Sequence, residues 1–538
     1  MKKYLYVCAA LALAGLLAGC GGSGGKGQST AASTQEASSK TYSELHWGTE
    51  TFPGVLDWNR NVWWQMVTVE SLAVNNLMEF EPDGKVKPGL ASSVKQPNST
   101  TYVYHLRSVK FSDGNPMTSA DVVYSLDRNR FAKESWAKSY WEGVSSISAP
   151  NSSTVVVKLK KPNAVFEDIV AFTGEVIEKA AAEKVSEKEL GTPGHLLIGT
   201  GPWKFDSYQP EVSVHLSRNP YWTGPRQPAE RITVNLFKTE ASMALALRSG
   251  AVDGISFIIG PKTFEGIPGV RLMTAPAATM NVASANTATA PFNDVHVRRA
   301  IAYATNVKGI IDALYPPGTG SEEPTIIPSD FFAGLGSSSE VEETLGALPK
   351  YEFNLAKARQ ELAKSAYPHG FTTEIDVEQV EAPSVATAQI LSLDLAKIGI
   401  TANVREVPVA DVPSVMFSGK SKLVVDTYGG VYPDPEDILS SAVSPSQIAP
   451  PGSGLNIANY RSPEADRLQR ESEEALNPKR RLQLIGKLMR IVNKEAPYWQ
   501  LGTHDAFALL SEKYVMAPKY SWWTTLFTPW GLNVKLAG

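Results

Sequence analysis

The sequence predicts a mixed α/β protein, because two different hydrophobic periodicities recur along the chain. Apolar and polar residues alternate in four short segments typical of strands: 102–107, 154–160, 212–216 and 231–236. Elsewhere apolar residues return at every third or fourth position, as on half-buried helices. Examples are Leu391, Leu395 and Ile398, and Leu482, Ile485, Leu488 and Val492. We expect these apolar stripes to face the protein core.

Capping residues mark where several elements begin or end. The segment 45–48 is interpreted as a strand that ends at Thr49 and Glu50. Thr118 and Asp121 form a candidate capping box ahead of an apolar stripe. Further helix boundaries are predicted at Asn293 or Asp294, at Gly399 as a C′ glycine, and at Ser462 followed by Pro463.

The composition is that of an ordinary globular protein and excludes several classes. Of 538 residues, 43% are hydrophobic and 20% are charged, which excludes wholesale disorder. At ~100–200 residues per domain, this length suggests about three domain-sized units. The formal net charge of -4 argues against nucleic-acid binding, which needs a concentrated basic surface. Two cysteines exclude a disulfide-framed fold and a multi-cysteine metal site.

The first 20 residues have the pattern of an export signal. Lys2 and Lys3 precede an apolar stretch at 4–19, which is shorter than the ~20 residues needed to span a bilayer. The stretch ends in Leu-Ala-Gly-Cys, which resembles the lipobox of a bacterial lipoprotein. The resemblance implies removal of residues 1–19, lipidation of Cys20 and attachment to the membrane outside the cytoplasm.

Residues 21–40 consist almost entirely of Gly, Ser, Thr, Ala and Gln. Such a composition cannot bury a core, so we interpret 20–41 as the lipidated cysteine and a flexible tether. The expected mature protein is a soluble body held on the outer face of the cytoplasmic membrane. It would lie in the periplasm if an outer membrane is present.

The most informative segment is 88–128, which reads PGLASSVKQPNSTTYVYHLRSVKFSDGNPMTSADVVYSLDR. It predicts strands at 102–107 and 110–111, a turn at Asp113-Gly114, and a helix from Ala120. The segment closely resembles the signature region of the family 5 extracellular solute-binding proteins of ABC importers, the oligopeptide, dipeptide and nickel-binding group.

Five other blocks resemble the same family in the expected order. They are 199–203 with 218–222, 246–253, Asn286 with 291–301, 394–400, and 459–466. Taken together, the blocks extend the resemblance over roughly residues 42–534, and the chain is identified as a member of this family.

The resemblance implies a bilobal fold of the periplasmic-binding-protein type (class II, cluster C), with an extra subdomain on the first lobe. Lobe I would comprise 42–86, 200–283 and 507–538; the extra subdomain would comprise 87–199; lobe II would comprise 284–506. Ligand would be enclosed between the lobes, and hinge closure would couple binding to docking on a permease.

One loop of the family bears on the ligand. In peptide-binding relatives, a loop resembling Trp-x-Ala-Asp-Tyr-Pro-Asp-Pro reaches the cleft, and its first Asp pairs with the α-amino group of the ligand. The matching stretch here is 428–435, in which Tyr428 replaces the Trp and Val431 replaces that Asp. A buried charge left without its partner costs ~3–5 kcal/mol. We therefore favour a ligand whose recognition does not centre on an α-amine, unless Glu50 or Glu406 supplies a carboxylate or the alignment slips by a residue.

Position in the family also predicts the ligand contacts. They are Thr49, Glu50, Trp64, Met280, Asn281, Tyr428, Gly430, Val431 and Tyr432. Trp64 and Tyr428 are the favoured aromatic contacts, because aromatic faces suit sugar rings, peptide side chains and cations.

No enzymatic pattern competes with this interpretation. Outside the tether, the chain lacks Gly-x-Ser-x-Gly and His-Glu-x-x-His, and its seven histidines are scattered without metal-ligand spacing. We expect no catalytic residue, no cofactor and no metal, although nickel and haem roles occur in the wider family.

The sequence therefore predicts a lipid-anchored substrate-binding component of an ABC importer. It would act as a monomer that captures a peptide-like or other small to medium solute and delivers it to a permease and ATPase complex. Membrane contact would be through the lipid anchor, and no nucleic acid would be bound. An oligosaccharide or another amine-independent ligand stays open within this role, as do an exported hydrolase and a ligand sensor not coupled to transport.

Overall fold

The computed structural model describes residues 37–52, 54–258, 260–379, 382–408, 411–449 and 454–538. The predicted signal at 1–19, the lipidation at Cys20 and most of the tether lie outside the described residues. Within the described ranges, no helix combines the length and the apolar character needed to cross a bilayer.

The described chain alternates strands and helices throughout, which confirms the mixed α/β class. The strands are β1 (Tyr42–Glu50), β2 (Met78–Phe80), β3 (Val86–Pro88), β4 (Ala91–Asn98), β5 (Thr101–Leu106), β6 (Val144–Asn151), β7 (Thr154–Leu159), β8 (Trp203–Gln209), β9 (Ser213–Arg218), β10 (Ala229–Phe237), β11 (Gly254–Ile258), β12 (Val270–Ala285), β13 (Gly320–Ser321), β14 (Thr372–Glu378), β15 (Thr401–Val407), β16 (Leu423–Gly429), β17 (Tyr498–Ser511), β18 (Tyr514–Met516) and β19 (Val534–Leu536).

The helices separate these strands and cover the sheets. They are α1 (Trp64–Glu70), α2 (Ser119–Phe131), α3 (Lys138–Trp141), α4 (Phe166–Thr173), α5 (Lys179–Ala182), α6 (Glu240–Ser249), α7 (Val295–Ala304), α8 (Val307–Leu314), α9 (Ser338–Gly346), α10 (Leu355–Leu362), α11 (Ala382–Ala396), α12 (Val412–Val415), α13 (Pro435–Ala442), α14 (Pro463–Glu474), α15 (Pro478–Glu495) and α16 (Trp522–Phe527).

The largest sheet in the described chain has eleven strands, in the order β15-β14-β16-β12-β17-β11-β1-β10-β9-β8, with β13 beside β17. Strand β1 pairs in parallel with β10 and β11, and β14 pairs in parallel with β15 and β16. The two longest strands, β12 and β17, pair antiparallel in the middle of the sheet. The predicted lobe boundaries at 283/284 and 506/507 fall inside these two strands and remain predictions.

A separate four-stranded antiparallel sheet, β4-β5-β7-β6, lies in the segment predicted as the extra subdomain. Its strand β5 alternates buried and more exposed residues, as the sequence pattern predicts. Helix α2 follows the sheet and begins at the predicted capping box, where the Asp121 carboxylate accepts a hydrogen bond from the Thr118 N–H at 2.8 Å.

Other predicted boundaries agree with the structure at α7 and α14. Asp294 caps α7 by accepting from the His296 N–H at 2.8 Å, and Ser462 caps α14, which has Pro463 at its first position. The apolar stripe of α15 is buried against the core.

One local prediction is wrong. Lys110 and Phe111 do not form a strand, because the turn that Phe111 closes with Asn115 follows at once and leaves room only for an isolated bridge between Lys110 and Pro116. The predicted C′ glycine after α11 is confirmed: Gly399 has a φ of 89°, its N–H donates to the Ala396 carbonyl, and the Ile400 N–H donates to the Leu395 carbonyl.

Candidate functional site

A cavity of about 640 Å³ opens where several sheet strands end. We call it the cleft cavity. Its walls come from β1 and α1, from β11, from the middle of β12 and β17, from β14 and β16, and from α12 and the segment that includes α16. The volume lies within the ~300–1,000 Å³ usual for pockets that hold small molecules.

Acidic side chains reach this cavity from two parts of the sheet whose parallel strands run in opposite directions. Glu50 is the last residue of β1, Glu378 is the last residue of β14, and Asp426 lies in the middle of β16. All three line the cleft cavity. Ligands of open α/β sheets commonly bind beyond the carboxyl ends of parallel strands, because side chains from separate strands converge there.

A hydrogen-bonded chain of polar groups crosses the sheet on one wall. Thr427 donates from Oγ1 to Asn281 Oδ1 at 3.1 Å, and Asn281 donates from Nδ2 to the Tyr315 hydroxyl at 3.1 Å. Tyr315 stacks on the imidazole of His504 with ring centroids 4.6 Å apart. All four residues line the cleft cavity, so this wall is held in one arrangement by its own contacts.

His504 is neutral near pH 7. Burial lowers its pKa below the ordinary value, although the hydrogen bond to the Asp505 carbonyl opposes that change. The carbonyl oxygen can only accept, so His504 donates from Nδ1 at 2.8 Å. The other ring nitrogen, Nε2, is therefore the acceptor of the neutral imidazole.

Aromatic rings form the opposite wall. Trp522 lies between Trp64 and Phe257, at ring-centroid distances of 6.1 Å and 5.8 Å. Phe257 sits at a bulge in β11, with a φ of 57° that non-glycine residues rarely adopt. The bulge turns the backbone of β11 beside the cavity, so the ring of Phe257 becomes part of its lining.

Gln65, in the first turn of α1, completes the lining beside Glu50. Its Nε2 donates to Glu50 Oε2 at 3.4 Å. The side chain is only 7% exposed, and its Oε1 accepts no hydrogen bond from any described residue.

A second cavity, of about 480 Å³, lies beside β17 and includes Trp499 and Gln500 in its lining. It is formed by the segment 322–329, by α9 and by the end of α15. The cleft cavity is the better candidate for the functional site, because strands from distant parts of the chain converge on it.

The chain was compared with known protein families. The family of bacterial extracellular solute-binding proteins, family 5, matches residues 85–450, which is more than half of the chain. The chain belongs to this family. The resemblance of the sequence blocks to family 5 is thereby confirmed.

Individual family 5 relatives cover most of the chain. Heme-binding protein A of Haemophilus influenzae is 26% identical over 479 residues, which are 82% of this chain and 84% of the relative. The dipeptide-binding protein of Escherichia coli is 24% identical over 456 residues, covering 79% of this chain and 82% of the relative. The solved structure of DppA from Helicobacter pylori in complex with the peptide STSA has a TM-score of 0.78 at 22% identity, covering 92% of this chain and 98% of that one. This last likeness shows the fold.

Three of the contacts predicted from family 5, Glu50, Trp64 and Asn281, line the cleft cavity. Thr49 and Met280, which are 1% and 0% exposed, are not part of the lining. Met280 lies in the main core opposite Tyr428, its partner in the pairing of β12 with β16.

The family 5 loop from Tyr428 to Tyr432 lies behind the lining rather than in it. The Tyr428 hydroxyl donates to the Leu455 carbonyl at 2.8 Å, and the ring of Tyr432 packs 5.7 Å from that of Phe172. The Gly430 carbonyl accepts a hydrogen bond from Trp522 Nε1 at 3.2 Å, so this residue supports the aromatic wall.

Val431 is half-buried and packs against the core, and it is not part of the lining. Its N–H donates to Asp437 Oδ2 at 3.3 Å. Burial raises the pKa of Asp437 to about 8, although the backbone N–H groups at 430–432 oppose that change. Asp437 thus holds the loop at 430–432 in place by accepting hydrogen bonds from its backbone.

The second Asp-Pro of the family 5 loop, Asp434 with Pro435, makes contacts that hold two helices together. Asp434 caps α13 by accepting from the Glu436 N–H at 2.9 Å. The same carboxylate receives two hydrogen bonds from Arg481 of α15, each of 2.7 Å. This buried pair holds α13 against α15.

Several lining residues were not among the predicted contacts. They include Gln65, Phe257, Glu378, Asp426, His504 and Trp522. Asp426 carried a usable signal in the sequence, since it follows an apolar run at 423–425. No local pattern marks the others, because their place depends on how distant strands pair.

Proposed function

We propose that this chain is the lipid-anchored substrate-binding component of an ABC importer, and that it encloses a peptide-like or other small to medium solute in the cleft cavity. The observation that carries the proposal is the cavity itself, formed by strand ends from both predicted lobes of a family 5 solute-binding protein. The solute would be delivered to a permease and ATPase complex, and the chain would do no chemistry on it.

The names of the relatives support solutes of intermediate size. One curated relative is a dipeptide-binding protein and another is a heme-binding protein. These ligands differ in chemistry but both fit a pocket of several hundred Å³. A cavity of about 640 Å³ is compatible with that range.

The attachment to the membrane rests on the lipobox-like residues 17–20. The body of the protein would lie outside the cytoplasm, and the lipid would hold it near its permease as a monomer. Fractionation of cells that express the full chain tests this point. Wild type is expected with the membranes and Cys20→Ser in the soluble extracytoplasmic fraction, whereas equal distribution of the two would contradict the anchor.

Binding and transport are tested together. The full chain in detergent is titrated with short peptides, N-acetylated peptides, oligosaccharides and hemin while its thermal unfolding is followed. A ligand at 100 times its Kd adds about 2.7 kcal/mol to the stability of the folded state, which is a readable rise in Tm. Cells that lack the gene should then fail to take up the labelled ligand.

The outcomes separate the proposal from its alternatives. A ligand whose uptake needs this chain and cellular ATP supports import. A bound ligand whose uptake is unchanged in the deletion strain indicates a sensor instead. Turnover of a bound ester or peptide by the purified chain indicates a hydrolase.

A further inference from the structure

We propose that the cleft cavity selects an organic cation, an ammonium or guanidinium attached to an apolar or aromatic group, held by Glu50, Glu378 and Asp426. This inference rests on the proposed function and names the class of solute. It extends to neither a metal ion nor an anionic ligand.

The lining carries negatively charged side chains and no positively charged ones in the described chain. Three carboxylates line the cavity, and no lysine or arginine does so in the described chain. The short gaps at 53, 259, 380–381, 409–410 and 450–453 contain no lysine or arginine either. His504 adds no positive charge, because burial lowers its pKa. An anionic solute would enter this lining against repulsion from three carboxylates.

The carboxylates approach from two sides of the cavity. Val377 pairs with Val425, so Glu378 and Asp426 are the next residues on the adjacent strands β14 and β16. Glu50 comes from β1, on the far side of the central pair of strands. Like charges brought together in a partly dry space repel each other, and one cation between them converts that repulsion into attraction.

Gln65 supplies an independent sign of a ligand that donates hydrogen bonds. Its side chain is 93% buried, it lines the cavity, and its Oε1 accepts no hydrogen bond from any described residue. A buried acceptor without a donor is costly. An ammonium or guanidinium beside Glu50 brings the missing donor, because these groups carry several N–H bonds and no acceptor.

The remaining surface suits the rest of such a solute. Trp64, Phe257, Phe507 and Trp522 line the cavity, and their rings offer faces to apolar groups and to cations. His504 Nε2 is one more acceptor on the opposite wall. The lining thus combines acceptors with aromatic faces, and that combination matches an amphipathic cation.

A bare metal ion fits poorly. A divalent ion needs three or more ligand groups converging at short distance. The described ranges contain no group of three or more histidine, cysteine, aspartate or glutamate side chains that could hold one. Glu50, Glu378 and Asp426 therefore surround a larger space, of the size that an organic group fills.

This inference changes the expectation drawn from Val431. The position that matches the amine-binding Asp of the family carries no carboxylate and lies outside the lining. The cavity nevertheless carries three carboxylates at other positions. A positive group is therefore favoured after all, but at a different place from the family loop.

The test compares two blocked peptides of nearly the same shape. N-acetyl-Phe-Arg-amide carries a guanidinium, and N-acetyl-Phe-citrulline-amide carries a neutral urea in its place. Titration calorimetry of the full chain is expected to show at least tenfold tighter binding of the arginine peptide. N-acetyl-Phe-Glu-amide and hemin serve as anionic members of the panel.

Single substitutions then show which carboxylates of the lining contact the cation. Glu50→Gln, Glu378→Gln and Asp426→Asn are each expected to weaken the arginine peptide about fivefold or more and to leave the citrulline peptide within twofold. Glu406→Gln is the matched control, since Glu406 is exposed on β15 and outside the lining. Far-UV circular dichroism and Tm confirm that each variant is folded.

The inference and the proposed function fail in different ways. Equal binding of the arginine and citrulline peptides, or binding of anionic members only, overturns the cation inference and leaves solute binding intact. Unchanged affinity in all three lining variants also overturns it. A folded chain that binds no member of this panel or of the earlier one overturns the proposed function and the inference with it.

Discussion

Two aromatic residues that the sequence places in one site have different surroundings in the structure. Trp64 lines the cleft cavity and packs beside Trp522 on its aromatic wall. Tyr428 is 6% exposed, and its hydroxyl donates a hydrogen bond to the Leu455 carbonyl. We therefore expect Trp64, and not Tyr428, to carry binding energy for the ligand.

Substitution of the two residues separates these roles. Trp64→Ala is expected to weaken ligand binding about tenfold, because a large ring is lost from the wall. Tyr428→Phe should keep the affinity within twofold and lower the free energy of unfolding by about 1 kcal/mol, the usual loss for one hydrogen bond. Calorimetry and urea unfolding measure the two quantities. A larger effect of Tyr428→Phe than of Trp64→Ala on affinity would contradict this assignment.

Asp437 makes a pH-dependent contribution to stability. Its folded-state pKa is about 8, against an ordinary value of 3.8, because it is buried beneath the loop at 430–432. A raised pKa means that its contribution is complete below about pH 4 and is lost as the pH rises through the folded-state value. Wild type is therefore expected to lose more Tm between about pH 5 and pH 9 than Asp437→Asn, whose amide resembles the protonated acid.

The same scan on Glu374→Gln serves as the control, because Glu374 is an exposed carboxylate on β14. Its pH profile should follow that of wild type. Parallel profiles for wild type and Asp437→Asn would show that Asp437 titrates in the folded state much as it does in the unfolded chain.

At the scale of elements, the end of β16 depends on a glycine. Gly429 has a φ of 95°, and a Cβ there would lie 2.5 Å from the Ala278 carbonyl oxygen. The backbones of β12 and β16 approach closely at this point, which is also part of the cavity lining. Neither the conformation nor the space allows a side chain.

Gly429→Ala is expected to lower the free energy of unfolding by about 1–3 kcal/mol from backbone strain alone, with a further loss from the contact. Gly250→Ala is the matched control, because Gly250 also has a positive φ, 73°, but open space around its Cα. Urea unfolding of both variants measures the difference. Equal urea midpoints for the two variants would mean that the close approach of β12 and β16 does not require glycine at position 429.

The elements themselves were predictable where their causes are local. Thr118 with Asp121, Asp294, and Ser462 with Pro463 cap helices through residues within three positions, so the sequence alone shows them. Gly399 also closes its helix locally, whereas the error at Lys110-Phe111 concerns where a strand pattern stops. Such limits depend on pairing partners and turns that periodicity does not report.

The candidate site was predictable only in part, because its residues come from segments that are far apart in the sequence. Glu50, Glu378 and Asp426 are far apart in sequence and meet through the order of strands in one sheet. The family resemblance supplied Glu50, Trp64 and Asn281, since it carried positional information. It also supplied Tyr428 and Val431, which the fold places behind the wall. Matching single residues to the family motif therefore predicted the region of the cleft cavity better than it predicted the individual lining residues.

At the scale of the whole molecule, a ligand that contacts both predicted lobes should favour the more compact arrangement. Small-angle X-ray scattering of the full chain is expected to show a smaller radius of gyration with saturating ligand than without it, because the ligand stabilises the closed form. Trp64→Ala at the same ligand concentration should show less of the change. An identical radius for wild type with and without bound ligand would contradict closure.

The pairing of β12 with β17 has a mechanical consequence. The two strands pair in regular register on either side of an irregular stretch of β12 from Pro276 to Val282. In this stretch four residue steps of β12 face two of β17, and the next two steps of β12 face three of β17. Sliding one strand along the other would break all the regular hydrogen bonds, so the pair resists shear, while the irregular stretch has the fewest of these bonds and bends most easily. Thr279 and His504 of that stretch also line the cavity. Bending of the pair is therefore expected beside the cavity, where a small rotation produces the largest displacement at the distant ends of the molecule.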